Sequence, residues 1–213
     1  MRLTGLLFCT AALSRLAAAQ VSPSAVPVDQ EPQHHLLFAN ESLRIIAPQL
    51  QPGYTTLEHA HSHDDASVCI HGSQVRGKLA NGEWGNPGMI CNPGAIGMTE
   101  YTGKARSHTV QNVGTGVYHL VLVENLRDSG WTAPAPPIDG MKVLRENRSF
   151  RVYEGHAGLH SHDVPTVVVL VSGKVSVGAK GLDEPGAWAL VPAGEKHQVT
   201  AEAGARYVEI EVR

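Results

Sequence analysis

Hydrophobic positions in this chain come in short runs, and their periodicity is that of strands. Tyr207–Val212 reads YVEIEV, a strict alternation that predicts a strand with one face on a core. Val117–Glu124 is a second β-rich segment, and Val167–Val171 is a continuous apolar run, as expected for a strand buried on both faces. Glycines and prolines cut the chain between such segments, and no amphipathic helix of useful length is apparent. The pattern predicts an all-β protein of small barrels or jelly rolls.

One apolar run does not fit this scheme. Leu3–Leu13 follows Arg2 and precedes the small residues Ala17-Ala18-Ala19, the order of a secretory signal peptide over residues 1–19. The run is too short for a membrane span. Its removal would take Cys9 away and leave Cys69 and Cys91, in a secreted or periplasmic setting that permits disulfides.

The remainder is duplicated. LLFANESLRI (36–45) answers VLRENRSFRV (143–152), with Leu37/Leu144, Asn40/Asn147, Ser42/Ser149 and Arg44/Arg151 in step at a period of 107. His59-Ala-His61 answers His160-Ser-His162, and His108 precedes Tyr118 by the same ten positions that separate His197 from Tyr207. These alignments predict an extended arm over 20–32, packed on a neighbour or loose, a first unit over 33–126 and a second over 140–213. The proline-rich stretch 127–139 between them cannot continue a ladder and reads as a linker.

Composition narrows the chemistry. A hydrophobic share of 42% excludes disorder, and a net charge of −3 leaves no basic excess for nucleic acid. Twelve histidines are the conspicuous surplus. Residues i and i+2 on a strand point to one side, so His59/His61 and His160/His162 each present two imidazoles to a single face. His108 and His197, at matching places in the repeat, supply a third to each. Imidazole-rich sites of this kind suit divalent iron, manganese, copper, nickel or zinc.

On these motifs the sequence resembles the cupin superfamily, and the duplication resembles a bicupin. The pattern Gly-x5-His-x-His-x3/4-Glu-x6-Gly is met by Gly53, His59, His61, Asp65 and Gly72, with aspartate in the glutamate position. The second pattern, Gly-x5-Pro-x-Gly-x2-His-x3-Asn, is met by Gly186, Pro192, Gly194 and His197, with Ala201 in place of its asparagine; His108 and Asn112 keep its closing part in the first copy. The resemblance implies two tandem double-stranded β-helix barrels, each with a metal in its mouth. The implied ligands are His59, His61, Asp65 and His108 in the first barrel, and His160, His162 and His197 in the second, where Thr166 replaces the carboxylate. Asp64 is a rival to Asp65, whose side chain is about 1.5 Å shorter than glutamate. His63 reads as an exposed turn residue able to join the shell, and His34-His35 as the approach to the first strand.

The resemblance does not fix one activity. It is compatible with a metal-dependent, dioxygenase-like oxidoreductase acting on a small organic substrate. That is the first reading; the alternatives are a decarboxylase or isomerase, or a non-catalytic barrel that binds a small ligand or is stapled by metal. Pairing through barrel edges as a homodimer is common in the family. Fifteen residues separate Pro93 from His108, against five from Pro192 to His197. The excess predicts either a surface loop or a lid carrying Tyr101, Lys104 and Arg106, with Lys104 or Arg106 meeting a carboxylate substrate. Strand order in the jelly roll allows Cys69 and Cys91, the latter placed on the strand leading into Pro93, to be either a disulfide or two core thiols. Asn40 and Asn147 both begin N-glycosylation acceptor triplets, and their equivalence suggests a turn into a strand.

Overall fold

The computed structural model describes residues 21–80, 82–88, 90–127 and 136–213. The expected signal peptide (1–19) and residues 128–135 of the expected linker lie outside the described residues.

The first half contributes β1 (Val26–Pro27), β2 (His34–Ala39), β3 (Leu43–Leu50), β4 (His59–His61), β5 (Asp65–His71), β6 (Val75–Leu79), β7 (Ile96–Thr99), β8 (Arg106–Asn112) and β9 (Tyr118–Asn125). The second contributes β10 (Val143–Glu146), β11 (Phe150–Glu154), β12 (Gly158–His160), β13 (Thr166–Ser172), β14 (Val175–Val177), β15 (Lys180–Leu182), β16 (Trp188–Val191), β17 (His197–Ala201) and β18 (Arg206–Val212). A single 3-10 turn, Val28–Gln30, is the helical element among the described residues, and none of these residues forms a helix long and apolar enough to cross a membrane.

Each half closes two sheets on one another. Barrel 1 pairs β1-β4-β8-β6 with β2-β3-β9-β5-β7; barrel 2 pairs β12-β17-β14-β15 with β10-β11-β18-β13-β16. The duplication is therefore topological as well as sequential, with β2, β3, β9, β5 and β7 answering β10, β11, β18, β13 and β16. The motif glycines Gly53, Gly186 and Gly194 adopt φ of +80°, +89° and +74°, a region that side chains with a Cβ seldom enter. Asn40 and Asn147 prove to be turn residues: each side-chain oxygen accepts from two backbone N–H groups, of Ser42 and Leu43 in one copy and of Ser149 and Phe150 in the other.

The barrels share a core. Leu43, Ile45, Val68, Val121 and Val123 pack with Phe150, Val152, Val167, Val169, Val208 and Ile210, all buried, so the two five-stranded sheets lie face to face. Each such side chain contributes about 1.5–3 kcal/mol by leaving water. The continuous Val167–Val171 run is explained by this arrangement. Val167, Val169 and Val171 face the other barrel, while Val168 and Leu170 fill the interior of their own.

The N-terminal arm departs from its expected behaviour. It packs on its own barrel, where β1 adds in parallel to β4 with Val26 opposite His59. Cys69 and Cys91 form a disulfide. Cys91 lies outside any strand, and its carbonyl passes so close to Gly72 that an added Cβ there would sit 1.8 Å away.

Candidate metal centre

In barrel 1, β4 and β8 run antiparallel with His59 directly opposite His108. Since β4 alternates, His61 shares the face of His59, and ring nitrogens of His59, His61 and His108 all lie within 4.8 Å of one another. His59 Nδ1 donates to the Leu57 carbonyl at 3.0 Å, which leaves its Nε2 as the bare nitrogen, 2.8 Å from His108 Nε2. Both ring nitrogens of His61 are buried without a hydrogen-bond partner among the described residues. Burial holds the three rings neutral, with His59 down to about 4, His108 to about 3 and His61 to about 2. Neutral imidazoles whose free nitrogens converge, one of them without a hydrogen bond among the described residues, form a donor set that fits a borderline divalent metal.

Asp65 does not complete this set. It lines the cavity on which the triad opens, but its carboxyl is tied to Thr99, and its Oδ2 stands 3.6 Å from His61 Nδ1 and outside the converging group of ring nitrogens. Burial, with Glu124 and Asp64 nearby, raises the carboxyl to about 8. The rival Asp64 is used elsewhere: it accepts from the backbone N–H of Tyr101 (2.7 Å) and Thr102 (2.8 Å), from Ser149 Oγ (2.5 Å) and from Arg148. His63, expected to be exposed, is half-buried, and its Nδ1 is enclosed.

The expected lid is also corrected. Asp65 pairs with Thr99 as Thr166 pairs with Val191, so Thr99 and Val191 are the equivalent residues; Pro93 precedes its strand whereas Pro192 follows. Nine positions separate Thr99 from His108 and six separate Val191 from His197, so the true excess is three residues. Of the three lid candidates only Tyr101 lines the cavity, stacked on His61 at 4.9 Å between ring centres. Arg106 lies over the outer face of Tyr101 at 5.2 Å, and Lys104 points to solvent beside Glu100.

The triad opens on a cavity of about 300 Å³, walled by Pro48, Leu50, Val110, Leu120 and Leu122 among others. His34 also lines it, with its ring 4.6 Å from that of His59. The sequence reading passed over this histidine as part of a strand approach; the available signal was Glu31, three residues earlier, whose carboxylate accepts from His34 Nδ1 at 2.6 Å.

In barrel 2, β12 and β17 set His160 opposite His197, and His162 follows just past the end of β12. These three rings share their centre with a carboxylate that the sequence reading missed, Glu209 on β18. Glu209 Oε2 lies 2.9 Å from His160 Nε2, 3.0 Å from His162 Nε2 and 4.0 Å from His197 Nε2. Burial alone would raise Glu209, but hydrogen bonds from His160 and His162 outweigh it and hold the group at about 2. Burial would likewise lower His162; its bonds to Glu209 and Glu211 instead raise it to about 9. His197 Nδ1 donates to the Glu195 carbonyl and leaves Nε2 enclosed without a hydrogen bond among the described residues, so a metal that displaced the protons His160 and His162 share with Glu209 would find three nitrogens and one oxygen here. Glu209 could have been found only by noticing that YVEIEV alternates two carboxylates into a core.

No family model matches the sequence, and no curated protein matches it. Solved structures do. Bacterial pirin YhhW from Escherichia coli in complex with nickel(II) aligns with 84% of this chain and 90% of its own at 12% identity and a TM-score of 0.58. Salicylate 1,2-dioxygenase from Pseudaminobacter salicylatoxidans aligns with 88% of this chain and 77% of its own, at 13% identity and a TM-score of 0.57. A cupin 2 conserved barrel domain protein from Leptotrichia buccalis aligns over 84% and 87% at 14% identity and a TM-score of 0.51. At such identities these likenesses establish the fold.

Proposed function

Since the chain carries the cupin fold in two tandem barrels, we propose that barrel 1 is a metal-dependent, dioxygenase-like active site for a small organic molecule, and that barrel 2 holds its metal as a structural site. One observation carries this reading. The triad of barrel 1 faces a cavity of about 300 Å³, whereas the corresponding interior of barrel 2 is filled by Val168, Leu170, Val175, Val177, Val191 and Val199. A site needs room for its substrate, and a packed interior gives a metal only a stapling role.

His59, His61 and His108 would hold the metal, which when bound supplies Lewis acidity and, for iron, manganese, copper or nickel, electron-transfer chemistry. The chain contributes the rest. Leu57 fixes the tautomer of His59 through its carbonyl, and Tyr101 braces His61 by stacking. The apolar wall excludes water and favours a compact hydrophobic substrate. In barrel 2, Glu209 would neutralise part of the metal charge, which lowers its appetite for an anionic ligand. The leader over residues 1–19 would place the protein outside the cytoplasm.

Metal analysis of protein purified from its own host, followed by an oxygen-uptake screen over single-ring hydroxy and carboxy compounds, tests the proposal. Redox metal together with uptake that His59→Ala abolishes and His160→Ala spares is the expected result. Ligand bound but not consumed would instead favour a binding module, and a wild type without metal would remove the basis of both roles.

A further inference from the structure

The N-terminal arm ends in an arrangement that barrel closure does not require. Glu31 is almost fully buried, and its carboxylate collects four donors: His34 Nδ1 at 2.6 Å, the backbone N–H of Gln33 at 2.7 Å, Tyr54 Oη at 3.0 Å and the backbone N–H of Leu57 at 3.3 Å. A carboxylate so supplied can only accept, so His34 Nδ1 carries the proton it donates to Glu31, and Nε2 is the ring atom left to bond a ligand. No described residue bonds to that Nε2, and the ring lines the barrel-1 cavity beside His59.

We infer that His34, fixed in orientation by Glu31, is the residue that orients a hydroxylated single-ring substrate in the barrel-1 cavity; this rests on the reading of barrel 1 as the reactive site. The ligand class follows from the wall. A cavity of roughly 150 Å³ already admits benzene, so about 300 Å³ takes one substituted ring. Pro48, Leu50, Val110 and Leu120 cover the ring faces, and the triad binds one polar end through its metal. Nε2 of His34 is then in place to hydrogen-bond a hydroxyl beside that end. Arg76, the cationic member of the wall, is held by Gln111 through its Nε and by the face of Trp84. The same arm strand that pairs with β4 carries Glu31 into place, which gives residues 26–34 a functional reason to be ordered.

The test uses the full chain carrying His160→Ala, which leaves the barrel-1 triad intact, loaded with zinc, which binds without turnover, and two probes: 4-nitrocatechol, which carries hydroxyls, and 4-nitrobenzoate, which carries none. Zinc per chain and the two dissociation constants are measured by elemental analysis and calorimetry. His34→Ala is expected to weaken 4-nitrocatechol about tenfold, the loss of one net hydrogen bond, with 4-nitrobenzoate within about twofold. His34→Gln, whose amide reaches to the position of Nε2, restores most of the loss. Glu31→Gln, whose amide oxygen still accepts from Nδ1, costs less than His34→Ala. Unchanged 4-nitrocatechol binding at full zinc content overturns the inference, and so does loss of zinc from His34→Ala, which would make His34 a metal-holding group. A His160→Ala parent that takes no zinc overturns the reading of barrel 1, and is distinguished from the other outcomes by the metal count, because barrel 1 is then the intact site.

Discussion

Leu122 and Glu209 occupy the same place in the two barrels. Leu122 stands opposite Ser67, two residues along from Asp65, and Glu209 stands opposite Val168, two along from Thr166. In barrel 1 the position is an apolar wall of the cavity; in barrel 2 it is a carboxylate within 3.0 Å of two imidazoles. The absent motif carboxylate of barrel 2 is thus replaced from the neighbouring strand. Glu209→Gln is predicted to lower the metal affinity of barrel 2 by about tenfold or more and leave barrel 1 unchanged. Competitive chelator titration of Glu209→Gln in a His59→Ala background measures it.

How much of this was legible beforehand follows from the physics of each residue. The imidazole triads could be read because strand alternation makes His-x-His a local geometric statement, and the duplication repeated it. Glu209 was legible only as one of two readings, because YVEIEV reads equally well as a strand with a solvated carboxylate face; β18 has that face turned into the barrel. His34 was hidden because it meets His59 only through the closure of two sheets. The Pro93–Pro192 match failed because a proline marks a strand end without saying which end. The disulfide stood open until the loop before β7 was seen to bring Cys91 over β5.

Asp64 joins the barrels through Ser149 and Arg148, and it bears on acid stability. Burial would raise its carboxyl, but hydrogen bonds from Ser149, Thr102 and Tyr101 bring it down to about 2 from an ordinary 3.8. A depressed carboxylate stabilises the fold above its unfolded value and loses that contribution as pH falls through the folded one. Stability is therefore predicted to decline between about pH 4 and pH 2. Asp64→Asn should be less stable at neutral pH by about 2 kcal/mol and should show a shallower acid decline, read from denaturant midpoints across that range.

The Cys69–Cys91 bridge closes a loop over a separation of 22 residues. Replacing both cysteines with alanine is predicted to lower unfolding free energy by about 3 kcal/mol. Denatured, unreduced protein lacking the leader should show no titratable thiol, whereas two thiols would exclude the bridge.

Tyr101 is the cavity residue of the loop before β8. Tyr101→Ala removes the ring stacked on His61 and opens the cavity, so KM for the substrate found by the uptake screen should rise by about tenfold. Lys104→Ala, at an exposed side chain away from the cavity wall, should leave kinetics unchanged. Steady-state kinetics of the two variants side by side decides the matter.

The central claim is the division of labour between an open and a filled barrel, and it is tested most directly by asking which metal a small external ligand can reach. Copper(II) is loaded into His160→Ala, which retains the barrel-1 triad, and into His59→Ala, which retains the barrel-2 cluster. Azide is then added while the paramagnetic resonance spectrum is followed. The account predicts a new azide-bound spectrum in His160→Ala and an unchanged one in His59→Ala; azide binding confined to the barrel-2 metal would contradict it.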